Sequence, residues 1–423
     1  MSCDTGSTRP VEARSGLMAT RSWARTGAVG IAAAAVAASA FTAPAAAHGD
    51  GRGHEGTQRA LDGIVRAGIP GVTGQVSDKH GVWKGASGVG NLRTGAPRGK
   101  DDRFRIASIT KTFVATVLLQ QENEGLLRLD DKVERWLPGL VRGNGHDGRD
   151  ITVRQLLNHT SGVFDYLGDP DYQRDYMFAP NYMKNRLKDR TPRAAVAVAM
   201  KHAPTFRPGT GYSYSNTNYV LAALVMEKAG GRSYEREVRT RIIKPLGLRG
   251  TVMPGTTSRL PDPSSRSYSK LSPEPTATKV YDVTLQNGSQ SWADGDMISS
   301  AADLNRFLKA LLGGEVLPAK QLKAMKTLVP DPDDPATGYG LGLAKFNTTC
   351  GVELWGHSGG WLGSLSLAVT TEDGGHALSY NLNGDWTGEG MAEVVEAEFC
   401  GQRPPARGTG KQSYADPRGT ALR

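Results

Sequence analysis

Apolar residues follow two different periods along the chain, and the change of period separates its ends from its middle. They recur at helical spacing around Glu55 to Ala67 and again from Ser299 to Leu312. Strand-like runs cover Gly71 to Val76 and Val82 to Ala86, joined by a polar turn. The middle, about Leu119 to Pro254, carries mostly helical patterns that Gly and Pro interrupt. The ends therefore predict strands with helices, and the middle predicts helices alone.

Further strand-like runs follow one another near the C-terminus: Tyr339 to Phe346, Val352 to Trp355, Leu365 to Thr371 and Ala377 to Asn383. A last helix is predicted from Glu389 to Phe399. Together these elements predict an α/β (α+β) fold, in which an antiparallel sheet is flanked by N- and C-terminal helices and an all-helical domain is inserted. We place the α/β domain at residues 48–118 and 283–400, and the helical domain at 119–282.

The first 47 residues have the composition of a secretory signal. Arg21 and Arg25 precede a small-residue apolar run that ends near Ala47. The run is too short and too rich in alanine for a good membrane span, and the acidic residues before it indicate Met18 as the true start. We therefore expect residues 1–47 to be a signal peptide, cleaved near Ala47, and the mature chain to be secreted (extracellular or periplasmic) without a stable membrane anchor.

The formal net charge of +9 is concentrated at the two ends of the chain. Residues 1–47 carry two net positive charges and residues 401–423 carry four, which leaves three for the body. No basic stripe remains there to follow a phosphate backbone, so we expect no nucleic-acid partner. The tail 401–423 lacks apolar periodicity and is expected to be disordered. A monomer is expected.

Three cysteines occur in the chain, and removal of the signal peptide would discard Cys3. Cys350 and Cys400 then remain as an even pair in an oxidising compartment, which predicts a disulfide between them. In the chain-entropy model, such a bond stabilises the folded protein by roughly 4 kcal/mol. The histidines are dispersed and no Cys-x-x-Cys occurs, so we expect neither a metal site nor a cofactor.

One stretch, Phe104 to Leu119, places a serine where a helical pattern begins. Ser108 and Lys111 are one helical turn apart, so the amine can reach the hydroxyl. Unpaired backbone N–H groups at a helix start stabilise negative charge. This is geometry for a nucleophile and its base. The alternative is that Ser108 only caps the helix, since Ser-x-x-Lys also arises by chance. A second copy, Ser267 to Lys270, lies in a Pro/Ser-rich stretch with no apolar periodicity.

Two further motifs carry candidate chemistry. Tyr214 and Asn216 share one loop, where a phenol can carry a proton and a carboxamide can donate to a substrate carbonyl. The alternative is a polar turn that caps the following helix. The stretch His357 to Gly360 is expected at the end of a predicted strand, where backbone N–H groups can line a pocket. Its alternative is an edge-strand histidine.

In this order and at these separations, the three motifs resemble the signatures of the penicillin-recognising serine hydrolases. That family includes class C β-lactamases, D-alanyl-D-alanine carboxypeptidases and related esterases. Intervening stretches also match, namely Ile151 to Gly162, Ser215 to Tyr219 and Tyr339 to Leu343. His-Ser-Gly in the third motif is most similar to the soluble secreted carboxypeptidases, which have His-Thr-Gly. The resemblance covers roughly Glu55 to Cys400 and implies an active site between an α/β domain and a helical domain.

The resemblance also implies a role for each motif residue. Ser108 would attack a peptide carbonyl and become acylated, while Lys111 and Tyr214 handle its proton. The backbone N–H groups of Ser108 and Gly360 would hold the oxyanion. His357 would stand in for the cationic lysine of the β-lactamases, helping to bind the substrate or to orient the Tyr214 hydroxyl. Substrate contacts are implied at Asn216, His357, Ser358, Gly359 and Gly360.

The expected activity is that of an exported serine-type D-alanyl-D-alanine carboxypeptidase that acts on peptidoglycan stem peptides and is acylated by penicillins. Gly360 and Ala344 stand where these carboxypeptidases carry Thr and Arg, with Lys345 beside them. If Lys345 points out of the pocket, an ester, a lactam or another D-amino-acid derivative fits as well. A β-lactamase-like esterase or D-amino-acid amidase/peptidase therefore stays open, as does a non-catalytic penicillin-binding sensor.

Two residues outside the motifs have expected roles. Trp292 is a candidate wall of the substrate pocket, and packing in the core is the alternative. His159 is expected to fix the turn from Asn158 to Gly162 rather than to take part in chemistry.

Overall fold

A computed structural model describes residues 53–330 and 337–401. Its helices are α1 (Glu55–Arg66), α2 (Thr110–Asn123), α3 (Val133–Trp136), α4 (Val153–Leu157), α5 (Pro170–Tyr176), α6 (Asn181–Asn185), α7 (Pro192–Ala199), α8 (Asn216–Gly230), α9 (Tyr234–Val238), α10 (Ala301–Leu312), α11 (Ala319–Met325) and α12 (Met391–Cys400). The predicted signal peptide and nearly all of the predicted tail lie outside the described residues.

The strands are β1 (Gly71–Asp78), β2 (Gly81–Gly88), β3 (Arg103–Arg105), β4 (Arg142–Gly143), β5 (His146–Asp147), β6 (Tyr268–Ser269), β7 (Tyr281–Asp282), β8 (Ile298–Ser300), β9 (Val329–Pro330), β10 (Gly338–Tyr339), β11 (Ala344–Asn347), β12 (Glu353–Trp361), β13 (Ser364–Thr371) and β14 (Ala377–Leu382). Eight of them form one sheet in the order β2-β1-β14-β13-β12-β11-β10-β9. Each neighbouring pair is antiparallel. The predicted fold class is confirmed, since strands from both ends of the chain share one antiparallel sheet.

Helices cover both faces of this sheet. On one face, α1 and α12 pack together through Leu61, Ile64, Val394 and Val395, over apolar residues of β1, β13 and β14. On the other face, α10 packs against β1, β13 and β14. The division into an α/β domain and a helical domain stays a prediction. No helix in the described part of the chain is long and apolar enough to cross a membrane.

Two features of the strands differ from the sequence predictions. β12 does not end near Trp355 but continues through the His357 motif to Trp361, paired with β13 along its whole length. The glycines there permit close backbone approach rather than a turn, because a Cβ on Gly359 would lie 2.1 Å from the Ile106 carbonyl oxygen. The run from Tyr339 to Phe346 is two short strands, β10 and β11, rather than one.

Two long-range connections fix the surroundings of the site. β3 pairs with β8, which places the start of α2 beside the segment that precedes Ile298. A disulfide joins Cys350, in the turn between β11 and β12, to Cys400 at the end of α12, with an S–S distance of 2.06 Å. The last helix is therefore tied covalently to the sheet.

Candidate active site

Ser108 lies in a 3₁₀ turn, Ala107–Ile109, that leads directly into α2. Ala107 has φ of +47°, a conformation uncommon for a residue with a side chain. The turn packs against β12, the strand that carries the His357 motif. α2 is buried on nearly all sides, including Phe113, Val114 and Leu118, so the serine stands on a rigid base.

Lys111 is fully buried, and its ammonium nitrogen contacts three groups. Nζ donates to Ser108 Oγ at 3.0 Å, to Asn216 Oδ1 at 2.8 Å and to the Asp294 carbonyl oxygen at 2.7 Å. Burial lowers the pKa of Lys111 to about 8, although the charges of Asp294 and Asp165 oppose this. At pH 7 about one amine in ten is then neutral and able to accept a proton.

Tyr214 enters the site from the loop before α8. The centre of its ring lies 5.0 Å from Lys111 Nζ. Its hydroxyl is buried without a hydrogen bond of normal geometry to any described residue. Burial raises the pKa of Tyr214 well above its ordinary value, Tyr339 adds to this, and the nearby Ser108 hydroxyl opposes it. The phenol therefore keeps its proton at neutral pH.

Asn216 is the first residue of α8 and links the lysine to a carboxylate. Oδ1 accepts from Lys111, while Nδ2 donates to Asp165 Oδ2 at 2.9 Å. An amide nitrogen carries two hydrogens, so one remains for a substrate carbonyl. Asn216 thus stands where the sequence motif predicts it, beside the amine.

Two acidic residues that the sequence did not predict complete this side of the site. Burial raises the pKa of Asp294 to about 7, while Lys111 opposes the rise, and Tyr166 donates a hydrogen bond to its carboxylate at 2.8 Å. Burial also raises the pKa of Asp165, against hydrogen bonds from Leu167 and Asn216. The acids reach the site through tertiary contacts, so no local pattern in the sequence announces them.

His357 lies within β12 and is buried. Nδ1 faces the carbonyl oxygen of Ser358, which only accepts, so Nδ1 carries the hydrogen and Nε2 accepts from Tyr339 Oη at 2.8 Å. Burial lowers the pKa of His357 to about 3, and Lys111 acts in the same direction. The ring is therefore neutral at pH 7, and the expected role of His357 in binding the substrate or orienting the Tyr214 hydroxyl stays a prediction. His357 accepts a hydrogen bond from Tyr339, whose ring stands edge-on to that of Tyr214 with the ring centroids 6.0 Å apart.

The part of β12 that carries the third motif has an open edge. β11 pairs with β12 only as far as Gly356, so residues 357–361 have β13 as their one strand neighbour within the described chain. Backbone groups of an antiparallel strand alternate between its two edges, so this edge offers N–H and C=O groups to a ligand. Ser358, Gly359 and Gly360 lie in this part of β12, which packs against the Ser108 turn. The oxyanion role of the Ser108 and Gly360 N–H groups stays a prediction.

Two predicted neighbours of the pocket have other contacts. Trp292 donates from Nε1 to Glu235 at 3.3 Å, stands edge-on to Tyr234 at 5.5 Å and belongs to the main apolar cluster, so its contacts favour the core alternative. Lys345 pairs with Glu353 at 2.5 Å. Glu353 lies four residues before His357, about 13 Å along a strand, so this ammonium is directed away from Ser108.

The residues that hold Ser108 offer no site for a metal. Across residues 53–330 and 337–401, no group of His, Cys, Asp and Glu side chains is arranged to bind a metal ion.

Known proteins resemble the chain over most of its length. A family model described as Beta-lactamase matches residues 42–396. The structure of a D-stereospecific amidohydrolase from Streptomyces sp. is 52% identical, with a TM-score of 0.78 over 82% of this chain and 99% of that one. A D-amino acid amidase from Ochrobactrum anthropi SV3, complexed with L-phenylalanine amide, is 30% identical, with a TM-score of 0.69 over 81% and 97% of the two chains. Penicillin-binding protein 4* from Bacillus subtilis (strain 168) is 28% identical over 73% of this chain and 67% of its own length.

Proposed function

The chain belongs to the beta-lactamase family of penicillin-recognising serine hydrolases, and on that premise we propose that it hydrolyses amide or peptide bonds of D-amino-acid derivatives through an acyl-enzyme on Ser108. One observation carries the chemistry: Lys111 Nζ lies 3.0 Å from Ser108 Oγ, and burial lowers its pKa to about 8. The similarity to a D-stereospecific amidohydrolase and a D-amino acid amidase supports the substrate class.

The acylation step begins with the neutral form of Lys111, which accepts the Ser108 proton as Oγ forms a bond to the substrate carbonyl carbon. The carbonyl oxygen becomes an oxyanion, held by the backbone N–H groups of Ser108 and Gly360. Collapse of this intermediate breaks the C–N bond. The leaving nitrogen takes a proton from the Tyr214 hydroxyl, and Lys111 returns its proton to that phenol.

The deacylation step repeats the same chemistry with water. Lys111 accepts a proton from water, whose oxygen attacks the ester carbon. Collapse of this intermediate breaks the bond to Ser108 Oγ, which takes that proton back from Lys111. We assign the base to Lys111 because Tyr214, with a pKa raised well above its ordinary value by burial, supplies almost no phenolate at neutral pH. The free D-amino acid is then released.

The charges around the site favour a substrate that carries an ammonium over one that ends in a carboxylate. The Lys111 ammonium already donates three hydrogen bonds within the protein, and His357 is neutral. Lys345 pairs with Glu353 at the start of β12, so none of these three residues is placed to bind a carboxylate. Asp165, by contrast, is half-buried beside Asn216, where the substrate amide is expected. A D-amino acid amide with a free amino group matches this arrangement.

The test compares D-phenylalanine amide, L-phenylalanine amide and N-acetyl-D-alanyl-D-alanine as substrates, with Ser108→Ala as the control. Of the two amides, we expect only the D-enantiomer to release ammonia. We expect Ser108→Ala to release none from either. Equal turnover of both enantiomers, or turnover that survives in Ser108→Ala, would contradict the proposal.

A second candidate is the D-alanyl-D-alanine carboxypeptidase predicted from the sequence. The similarity to Penicillin-binding protein 4* favours it. Cleavage of N-acetyl-D-alanyl-D-alanine without turnover of the D-amide would establish it in place of the amidase. A persistent benzylpenicillin adduct on Ser108, seen in the intact mass, would place the enzyme with penicillin-binding proteins, whereas rapid release of hydrolysed penicillin would not.

We also propose that the enzyme is exported. The support is the signal-like composition of residues 1–47 together with the Cys350–Cys400 disulfide, a bond that persists in oxidising compartments. N-terminal sequencing of protein recovered from the culture medium or the periplasm tests this. A mature protein that begins near residue 48 is the expected result, and retention of the whole chain in the cytoplasm would contradict it.

A further inference from the structure

His159 is a buried histidine that the proposed chemistry does not use. It lies two residues after α4, with its side chain fully enclosed. Its φ of +60° is uncommon for a residue other than glycine, and Asn is among the few side chains that tolerate it. Such a conformation costs free energy, so the contacts of the residue must hold it there.

Those contacts lie on both sides of Tyr214. The carbonyl oxygen of His159 accepts from the Ser213 backbone N–H at 3.1 Å, and Nδ1 accepts from the Ser215 backbone N–H at 3.2 Å. The imidazole also lies against the Tyr214 ring, with centroids 4.2 Å apart and planes at 36°. His159 therefore contacts the backbone on both sides of Tyr214, at Ser213 and Ser215, and the Tyr214 ring itself.

The hydrogen-bond network fixes the tautomer of His159. The Val163 N–H donates to Ser161 Oγ at 3.0 Å, and the Ser161 hydroxyl donates to Asn218 Oδ1 at 2.6 Å. Asn218 Nδ2 then donates to His159 Nδ1 at 3.2 Å. Two N–H groups meet the Nδ1 lone pair, so the ring hydrogen sits on Nε2.

The surroundings also keep the ring neutral. Burial lowers the pKa of His159 well below its ordinary value, and the charge of Lys111 acts in the same direction. Protonation would replace the Nδ1 lone pair with a third donor facing the N–H groups of Ser215 and Asn218. Rings of Tyr219 and Tyr339 lie at 5.4 Å and 4.8 Å on other sides, so the imidazole has no room to turn away.

We propose that His159 is the positioning residue for Tyr214, and that its Nδ1 lone pair fixes the Ser213–Ser215 backbone so that the phenol faces Ser108 and Lys111. The proposal rests on the proposed function, because it assigns the geometry of the proton carrier in that reaction. What matters is an acceptor at the δ position, rather than a ring that fills space.

Three variants separate these two roles. His159→Asn places an oxygen acceptor at the same bond distance from the backbone and tolerates the positive φ. His159→Gln moves the acceptor one bond farther, and His159→Leu removes it. A misplacement of about 1 Å costs on the order of 100-fold in rate. We expect His159→Gln and His159→Leu to lose about 100-fold in kcat with KM within about threefold, while His159→Asn stays within about tenfold of wild type.

The rate of acylation of Ser108 by benzylpenicillin, followed by mass spectrometry, gives a second readout that does not depend on the natural substrate. If wild type hydrolyses no D-amide, the proposed function fails, while the acylation rates still decide the role of His159. Rates for His159→Gln equal to those for His159→Asn, in variants with the same melting temperature, would overturn the proposal.

A measurement on the unaltered protein covers the case in which a variant does not fold. Nuclear magnetic resonance of protein with ¹⁵N-labelled histidine reports which ring nitrogen carries hydrogen. We expect His159 to show hydrogen on Nε2 and a bare Nδ1, unchanged between pH 5 and pH 9. A ring that titrates in this range, or that carries hydrogen on Nδ1, would overturn the assignment.

Discussion

The reactivity of the proposed nucleophile depends on where single charges are placed. Lys111 and Ser108 are close in sequence, but the pKa of Lys111 is lowered by burial and raised, less strongly, by the charges of Asp294 and Asp165, which are distant in sequence. The groups that set its basicity are therefore contributed by several segments of the chain.

The pH dependence of the reaction follows from this lysine. The base form of Lys111 increases as pH rises, so kcat/KM should climb with an apparent pKa near 8. Asp294 raises the pKa of the lysine by its charge, and the two groups titrate as a coupled pair. Asp294→Asn should therefore move the rising limb to lower pH. A rate that is flat between pH 6 and pH 9, or a limb that moves upward in the variant, would contradict Lys111 as the base.

The role of Asp165 in substrate binding is tested with a substitution that keeps its hydrogen bond. In Asp165→Asn, the new amide oxygen can still accept from Asn216, but the negative charge is lost. A charge-assisted hydrogen bond contributes about 1.5–3 kcal/mol, so KM for D-phenylalanine amide should rise about tenfold or more. An N-acetylated substrate, which has no ammonium, should be affected little.

Lys345 supplies the matched control for Asp165. Its ammonium pairs with Glu353, away from Ser108, so Lys345→Ala should leave kcat/KM for the D-amide unchanged. A loss of activity in this variant would show that the lysine reaches the substrate after all.

The sequence predicts the nucleophile and the amine better than the charges around them. The spacing of Ser108 and Lys111 on a helix start is a local property, and the structure brings the two within 3.0 Å. The neutral state of His357 and the presence of Asp165 depend on tertiary burial, which no local pattern records.

At the scale of elements, the site depends on the close approach of β12 to the turn that carries Ser108. Apolar periods predict most of the sheet, because β1, β13 and β14 are largely buried. They fail at the His357 motif, where glycines resemble a turn but mark backbone contact between two segments. Such contacts become visible only in three dimensions.

Gly359 is the position at which this approach is tightest. A Cβ there would lie 2.1 Å from the Ile106 carbonyl oxygen, so Gly359→Ala must push β12 away from the Ser108 turn. We expect a loss of about 1–3 kcal/mol in the free energy of unfolding, together with a large loss of kcat. Urea unfolding and steady-state kinetics measure the two effects.

Gly63 provides the control within a helix. A Cβ there meets only the end of the Arg66 side chain, at 3.6 Å. Gly63→Ala in α1 should stabilise the protein by about 0.5–1 kcal/mol and leave activity unchanged. Equal effects of the two substitutions would contradict the steric account of Gly359.

At the scale of the whole molecule, one buried carboxylate connects the two ends of the described chain. Glu398 in α12 accepts from Thr57 Oγ1 at 2.6 Å and contacts His54 Nδ1 at 3.0 Å and His376 Nε2 at 2.8 Å. Burial alone would raise the pKa of Glu398, but the hydrogen bonds from His376, Thr57 and His54 outweigh it and lower that pKa. Through these hydrogen bonds, Glu398 links α12 to the start of α1 and to the turn before β14.

The sign of the resulting pH dependence is determined by the lowered pKa. The stabilisation is fully present above the ordinary carboxyl pKa, near 4.3, and is lost as pH falls through the lower value of the folded protein. Glu398→Gln should reduce the free energy of unfolding at pH 7 by on the order of 1 kcal/mol and by less at acid pH. Urea unfolding of both proteins at pH 7 and pH 3 measures this, and an equal difference at the two pH values would contradict it.

The pairing of β1 with β14, in which Val72 faces Leu382, also determines when this enzyme can be assembled. A nascent chain can pair its first strand only with β2 until nearly the whole polypeptide has left the ribosome. Until then the central sheet stays incomplete. For the export proposed above, this late completion of the sheet would leave the chain unfolded while it is threaded through a translocation channel.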